Sequence, residues 1–207
     1  TANIKLAARR IVFGKLLNCG QTCVAPDYIY CHESVRDQLA DAIVDEIIRQ
    51  YTSDAISNPD YGKIINEKHY NRIMGLISEE KTIFGGEGDK DKLKINPTVM
   101  TKVTWDDPVM QEEIFGPLIP VLTFTDVDEA IETINSHPHP LALYVFTESK
   151  KTARRFLNEC QFGGGCVNDT IIHLASTSLP FGGVGESGMG SYHGYNGFKA
   201  FSHFKGI

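Results

Sequence analysis

A chain of 207 residues with 42% hydrophobic and 22% charged side chains can bury a core unaided, which excludes a stapled mini-protein and an intrinsically disordered segment. Lys and Arg total 20 against 26 Asp and Glu, and at a net charge of -6 no basic run suits a nucleic-acid partner. Apolar stretches such as Leu141 to Phe146 fall far short of the roughly 20 residues a membrane helix needs, so the chain reads as soluble and cytoplasmic.

Ile4, Ala7, Ala8, Ile11, Val12 and Leu16 recur at helical spacing and predict a helix from Ala2 to about Leu17, ended near Asn18 and Gly20. Tyr28 to Cys31 predicts a short strand. Glu33 to Tyr51 predicts a helix whose stripe is Val35, Leu39, Val44, Ile47 and Ile48. Asp54 to Tyr61 reads as loop, and Asn66 to Ser78 as a helix with Tyr70, Ile73, Met74 and Ile77 inward. Short strands follow at Lys81 to Phe84, closed by Gly85-Gly86-Glu87-Gly88, and at Thr98 to Val103. Leu118 to Phe124 predicts a strand, Asp126 to Asn135 a helix, Leu141 to Phe146 a buried strand and Glu148 to Cys160 a helix. Gly165 to Asn168 opens a strand, and a Gly-rich loop with an aromatic end fills the last forty or so residues. Strands separated by crossover helices make the class α/β, a three-layer doubly wound, mostly parallel sheet in a single domain spanning 1–207. The helical start at residue 2 suggests a chain that begins inside a larger protein. The end, 198–207, could supply an edge strand for a partner subunit or an interdomain contact.

Five cysteines without paired C-x-x-C spacing favour reduced thiols over a disulfide framework. Cys23 follows a predicted helix and precedes a predicted strand. Lys5, Arg9, Arg10 and Lys15 come before it and no acid appears until Asp27, a setting that would favour thiolate. The residues alone also allow a buried Cys23 acting as a small hydrophobe. Cys31 shares a strand face with Ile29 and reads as core, and Cys160 and Cys166 read as structural. No metal is expected: Cys19, Cys23, His32, His137 and His139 lack two short-spaced ligand pairs. Gly183-Val184-Gly185-Glu186-Ser187-Gly188 matches the G-x-G-x-x-G pattern, but no strand precedes it, no helix opens on it and no acid answers it downstream. Glu112, Glu113 and Phe115 precede a Gly-Pro turn; they suit a sugar hydroxyl and a flat ring, or else form a charged loop with Phe115 in the core.

Asn18-Cys19-Gly20-Gln21-Thr22-Cys23-Val24-Ala25-Pro26-Asp27-Tyr28, Gln111 to Pro117, and Pro180 to Gly185 with Ser187-Gly188-Met189-Gly190 occur in this order over nearly the whole chain. Together with Tyr192-His193-Gly194 and Phe201-Ser202-His203, they resemble the aldehyde dehydrogenase superfamily, class 3 branch. The resemblance implies the catalytic domain of an NAD(P)-dependent enzyme that oxidises an aldehyde to a carboxylic acid through a thioester, dimeric when complete. It makes Cys23 the nucleophile, Glu113 the holder of the nicotinamide ribose, Phe115 an aromatic near that end of the cofactor and Phe181 a wall of the aldehyde pocket. Its general base, a side-chain amide of the oxyanion hole and most NAD or NADP contacts lie upstream, so these 207 residues alone are expected to be inactive. A non-catalytic binding module of the same fold and a coenzyme A-acylating variant are the alternatives.

Overall fold

The computed structural model describes residues 1–207, which divide into two compact units, one of Ile4–Asp126 and one of Thr1–Asn3 with Val127–Ile207. In the first, α1 (Ile4–Leu16) buries Ala7, Ala8, Ile11, Val12 and Leu16 and packs on α2 (Arg36–Tyr51). Between them lies β1 (Ile29–His32), whose Ile29 and Cys31 face inward as alternation requires. Glu33–Val35 form a separate 3-10 turn instead of the first turn of α2. The buried stripe of α2 is Leu39, Ala40, Ile43 and Ile47, while Ile48 is exposed, which corrects the stripe read from the sequence.

Next comes α3 (Glu67–Met74), capped by Asn66, whose Oδ1 accepts the amide of His69 at 3.0 Å. It ends at Met74, four residues before the expected stop at Ser78, because the next residue, Gly75, is a poor helix interior residue. Then follow β2 (Thr82–Phe84), β3 (Gly88–Asp89), β4 (Lys94–Ile95), β5 (Thr98–Met100) and β6 (Leu118–Phe124). β3 and β4 form a two-stranded antiparallel ribbon, whereas the main sheet has the order β1-β6-β5-β2. Its β1–β6 and β5–β6 pairs are parallel and its β2–β5 pair antiparallel.

β6 is the central strand, and Leu118 to Leu122 are all buried, the continuous apolar run of a strand covered on both faces. A proline inside such a strand lacks an N–H for the ladder. Pro120 is tolerated because Leu118 to Pro120 pair with β5, and pairing with β1 begins only at Val121.

The second unit contains α4 (Val127–Ser136), β7 (Ala142–Val145), α5 (Lys150–Glu159) and β8 (Gly164–Val167), with β7 and β8 parallel and α4 packed on α5. Ser149 caps α5 by accepting the amide of Thr152 at 3.2 Å. β7 was expected to be buried, yet only Val145 is fully so. The Gly-rich end contains α6 (Gly194–Ala200), so Phe198 to Ala200 are helical and 201–207 carry no regular element. The mixed α/β class with a mainly parallel sheet matches the sequence reading.

Candidate functional site

The segment between α1 and β1 owes its shape to three consecutive left-handed residues, Asn18 (φ 54), Cys19 (φ 55) and Gly20 (φ 76). Asn and Gly accept that conformation readily. Gln21 then anchors the loop: its Nε2 donates to the carbonyls of Asn18 and Lys63, both at 3.0 Å, and its Oε1 accepts the amide of Ile65 at 2.9 Å. Thr22 to Ala25 close a turn through an Ala25 N–H to Thr22 carbonyl bond of 2.9 Å, which leaves Cys23 on the surface.

The two cysteines of the motif differ in kind. Cys19 is 2% exposed beside Tyr61, and burial pushes its thiol up to about 11. Cys23 is the exposed one of the five, so it is not a core hydrophobe, while Cys31 and Cys160 are buried as expected.

Gln111 to Gly116 form the second loop, and the backbones of the two loops touch. A Cβ on Gly20 would stand 2.2 Å from the carbonyl oxygen of Gly116, and one on Gly116 would stand 2.6 Å from Cδ1 of Ile73 on α3. Glycine at position 20 is what allows this approach, whereas a side chain at position 116 would meet the movable side chain of Ile73. Cys23 lies three residues beyond one contact point and Glu113 three residues before the other. Phe115 has φ 47 and is 40% exposed, so it is not tucked into the core.

Buried and partly buried charges tie the loops together. Lys15 falls one helical turn after Ile11 on the inward face of α1 and is 1% exposed. Its Nζ donates to the carbonyl of Asp27 at 3.4 Å and lies 3.9 Å from Asp27 Oδ1. That Oδ1 accepts the amide of Ile114 at 3.1 Å. From α3, Arg72 donates to the carbonyls of Glu113 (3.2 Å) and Ile114 (2.5 Å) and pairs with Glu112 at 3.3 Å.

Burial lowers Lys15 to about 8, against the pull of Asp27 and Glu113. Burial also raises Asp27 above its usual value, opposed by Lys15, the Ile114 amide and Arg72. Glu113 is solvent-exposed, yet desolvation and the neighbouring Asp27 raise its carboxyl too, with Lys15 and Arg72 opposing. Two cations thus face Asp27 and Glu113 around the junction of the loops. Lys5, Arg9 and Arg10 are on the surface, so of the four cations preceding Cys23 only Lys15 joins this group.

Phe181 belongs to the second unit. It exchanges backbone hydrogen bonds with Tyr192 at 2.8 and 3.0 Å, and its ring stacks on His193 with centroids 5.6 Å apart. The glycine run after it contains one 3-10 turn, Gly185–Ser187, with neither a strand before it nor an α-helix opening on it, as a decoy fingerprint should.

Sequence reasoning named Lys15 only as one of four cations before Cys23 and Gln21 and Asp27 only as members of the motif, assigned none of them a positioning role, and passed over Arg72. A helix-face count places Lys15 among the buried positions of α1, which was the available signal. Arg72 and Asp27 act on backbone groups more than 40 residues away in sequence, for which no local pattern exists.

The profile of the aldehyde dehydrogenase family matches residues 1–207. The chain is 51% identical over 207 residues to 4,4'-diaponeurosporen-aldehyde dehydrogenase of Staphylococcus aureus (strain NCTC 8325 / PS 47), covering 99% of this chain and 45% of that protein. It is 47% identical over 201 residues to aldehyde dehydrogenase family 3 member A2 of Rattus norvegicus, covering 97% of this chain and 42% of the relative. The substrate-bound structure of Staphylococcus aureus AldH superposes with a TM-score of 0.96 at 50% identity, over 100% of this chain and 47% of that one. The chain therefore spans less than half the length of these relatives, and it belongs to the aldehyde dehydrogenase family.

Proposed function

We propose that this chain provides the nucleophile and the nicotinamide-side contacts of an NAD(P)-dependent aldehyde dehydrogenase that forms carboxylic acids. The observation that carries the reading is the junction itself: an exposed thiol on a turn, held against a loop that presents a carboxylate and an aromatic ring. A nicotinamide cofactor fits these donors. Glu113 offers acceptor oxygens to paired ribose hydroxyls, and Phe115 offers an exposed ring to a flat heterocycle. When bound, that group supplies a hydride acceptor.

Cys23 as thiolate attacks the aldehyde carbon and forms a thiohemiacetal, whose oxyanion is stabilised by backbone N–H groups of the turn. Loss of hydride leaves a thioester on Sγ, and hydrolysis releases the acid and regenerates Cys23. Lys15, Asp27 and Arg72 fix the backbone on which both groups ride. Phe181 is assigned to the aldehyde side.

The twenty-two residues before Cys23 contain no acid that could serve as the hydrolytic base, and general-base help is typically worth 10² to 10⁴ in rate. The complete protein is the proper material for the test. In it, Cys23→Ala abolishes aldehyde oxidation with either NAD⁺ or NADP⁺, and Glu113→Gln slows hydride transfer and weakens cofactor binding. Residual oxidation in Cys23→Ala would remove this cysteine from the mechanism.

A further inference from the structure

A second thiol meets a base in the other unit, to which, of the residues assigned above, Phe181 belongs. Cys166, the third residue of β8, is partly buried, and its Sγ lies 3.7 Å from Nδ1 of His173. The backbone amides of Ile172 and His173 also reach this sulfur. They do so because Ile171, just before the 3-10 turn Ile172–Ala175, adopts φ 51. A β-branched residue resists that conformation. Ile171 is 8% exposed, so packing holds it in place.

Burial favours the uncharged form of both partners, so the proton leaves Sγ only as a new bond to sulfur forms. Burial lowers His173 below the usual imidazole value, so the ring is neutral near pH ~7 and Nδ1 can accept. Its other nitrogen, Nε2, is buried without a hydrogen-bond partner. Burial raises the Cys166 thiol, and the charge of Asp169 opposes its ionisation further. The surroundings are aromatic: the ring of Tyr144 meets His173 edge-on at 5.8 Å, and that of Phe181 lies 6.2 Å away.

We propose that Cys166 and His173 form a second nucleophilic site that captures uncharged α,β-unsaturated carbonyl compounds as covalent adducts. The S–H bond breaks as its proton passes to Nδ1, and the sulfur electron pair forms an S–C bond at the β carbon. The alkene π pair moves to the α carbon, which takes the proton back from the imidazolium. Addition is complete without oxidant, reductant or a further reactant. Uncharged electrophiles are favoured because Asp169 repels a carboxylate and the neighbouring side chains of Tyr144 and Phe181 are aromatic.

The test uses the complete protein carrying Cys23→Ala, so that its outcome is independent of the role of Cys23. N-ethylmaleimide serves as the uncharged probe, and labelled peptides are quantified by mass spectrometry. Labelling at Cys166 is expected to be nearly level between about pH 7 and pH 8.5, because the base is already neutral. His173→Gln should slow it about tenfold or more at pH ~7 and restore a rise of about tenfold per pH unit, the signature of attack by free thiolate alone. A parent rate at Cys166 that climbs about tenfold per pH unit, or no labelling there, overturns the proposal. The parent profile decides the matter even if His173→Gln fails to fold.

Discussion

The Lys15 ammonium lies 3.9 Å from Asp27 Oδ1, and the turn bearing Cys23 is the chain strung between these two residues. Asp27 passes the constraint on to the amide of Ile114, next to Glu113. Burial outweighs mutual attraction for both partners, since the lysine is lowered and the aspartate raised. The pair is a positioning device that costs stability, as buried ion pairs often do.

Lys15 has a titration signature. Its folded value is about 8 against 10.5 for a free lysine, so between these values the unfolded chain binds more protons at this site and stability rises with pH. Below about pH 8 the penalty is present in full, on the order of 3 kcal/mol. Lys15→Met should abolish this rise, read as the difference between parent and variant in urea-unfolding free energy from pH ~7.5 to ~10.5.

The two glycines of the loop contact should respond unequally to alanine. At Gly20 a methyl meets a carbonyl oxygen at 2.2 Å and the residue has φ 76, so the loops must part. A loss of about 2–4 kcal/mol is expected. At Gly116 the obstacle is the flexible end of Ile73, and about 1–2 kcal/mol is expected. Equal urea midpoints for the two variants would contradict the contact described.

Arg72→Leu removes a charged donor from the carbonyls of Glu113 and Ile114. The expected cost is about 1–3 kcal/mol, with faster amide hydrogen exchange confined to the 112–116 loop. Lysine in its place should recover less than half of that loss, because one ammonium cannot span two carbonyls as a guanidinium fork does.

Alkylation should separate the motif cysteines. Iodoacetamide is expected to modify Cys23 first and Cys19 last, since Cys19 is 2% exposed with its thiol raised to about 11. Peptide mapping over a time course gives the order directly.

Helices and strands with strong periodicity were legible in the sequence: β6 runs from Leu118 to Phe124 as expected, and α1 and α5 differ by one or two residues at their ends. The face of α2 was misread because Glu33–Val35 wind as a 3-10 turn, so the helical phase starts later. The β3–β4 ribbon escaped notice because two residues per strand carry no alternation. α6 was hidden by Gly194 and Gly197, residues that argue against a helix on propensity alone. At the candidate site, the motifs located Cys23, Glu113 and Phe115, but not the buried lysine that links them. A lysine on an apolar face is ordinarily a solvated one, and only its tertiary partner Asp27 makes this one an exception.

The changeover at Pro120 gives the two halves of the central strand different neighbours: Leu118 to Pro120 pair with β5, and Val121 to Phe124 pair with β1, the strand that follows the cysteine turn. With Val121 and Leu122 as deeply buried as Leu118, the strand that follows the thiol is anchored directly in the core.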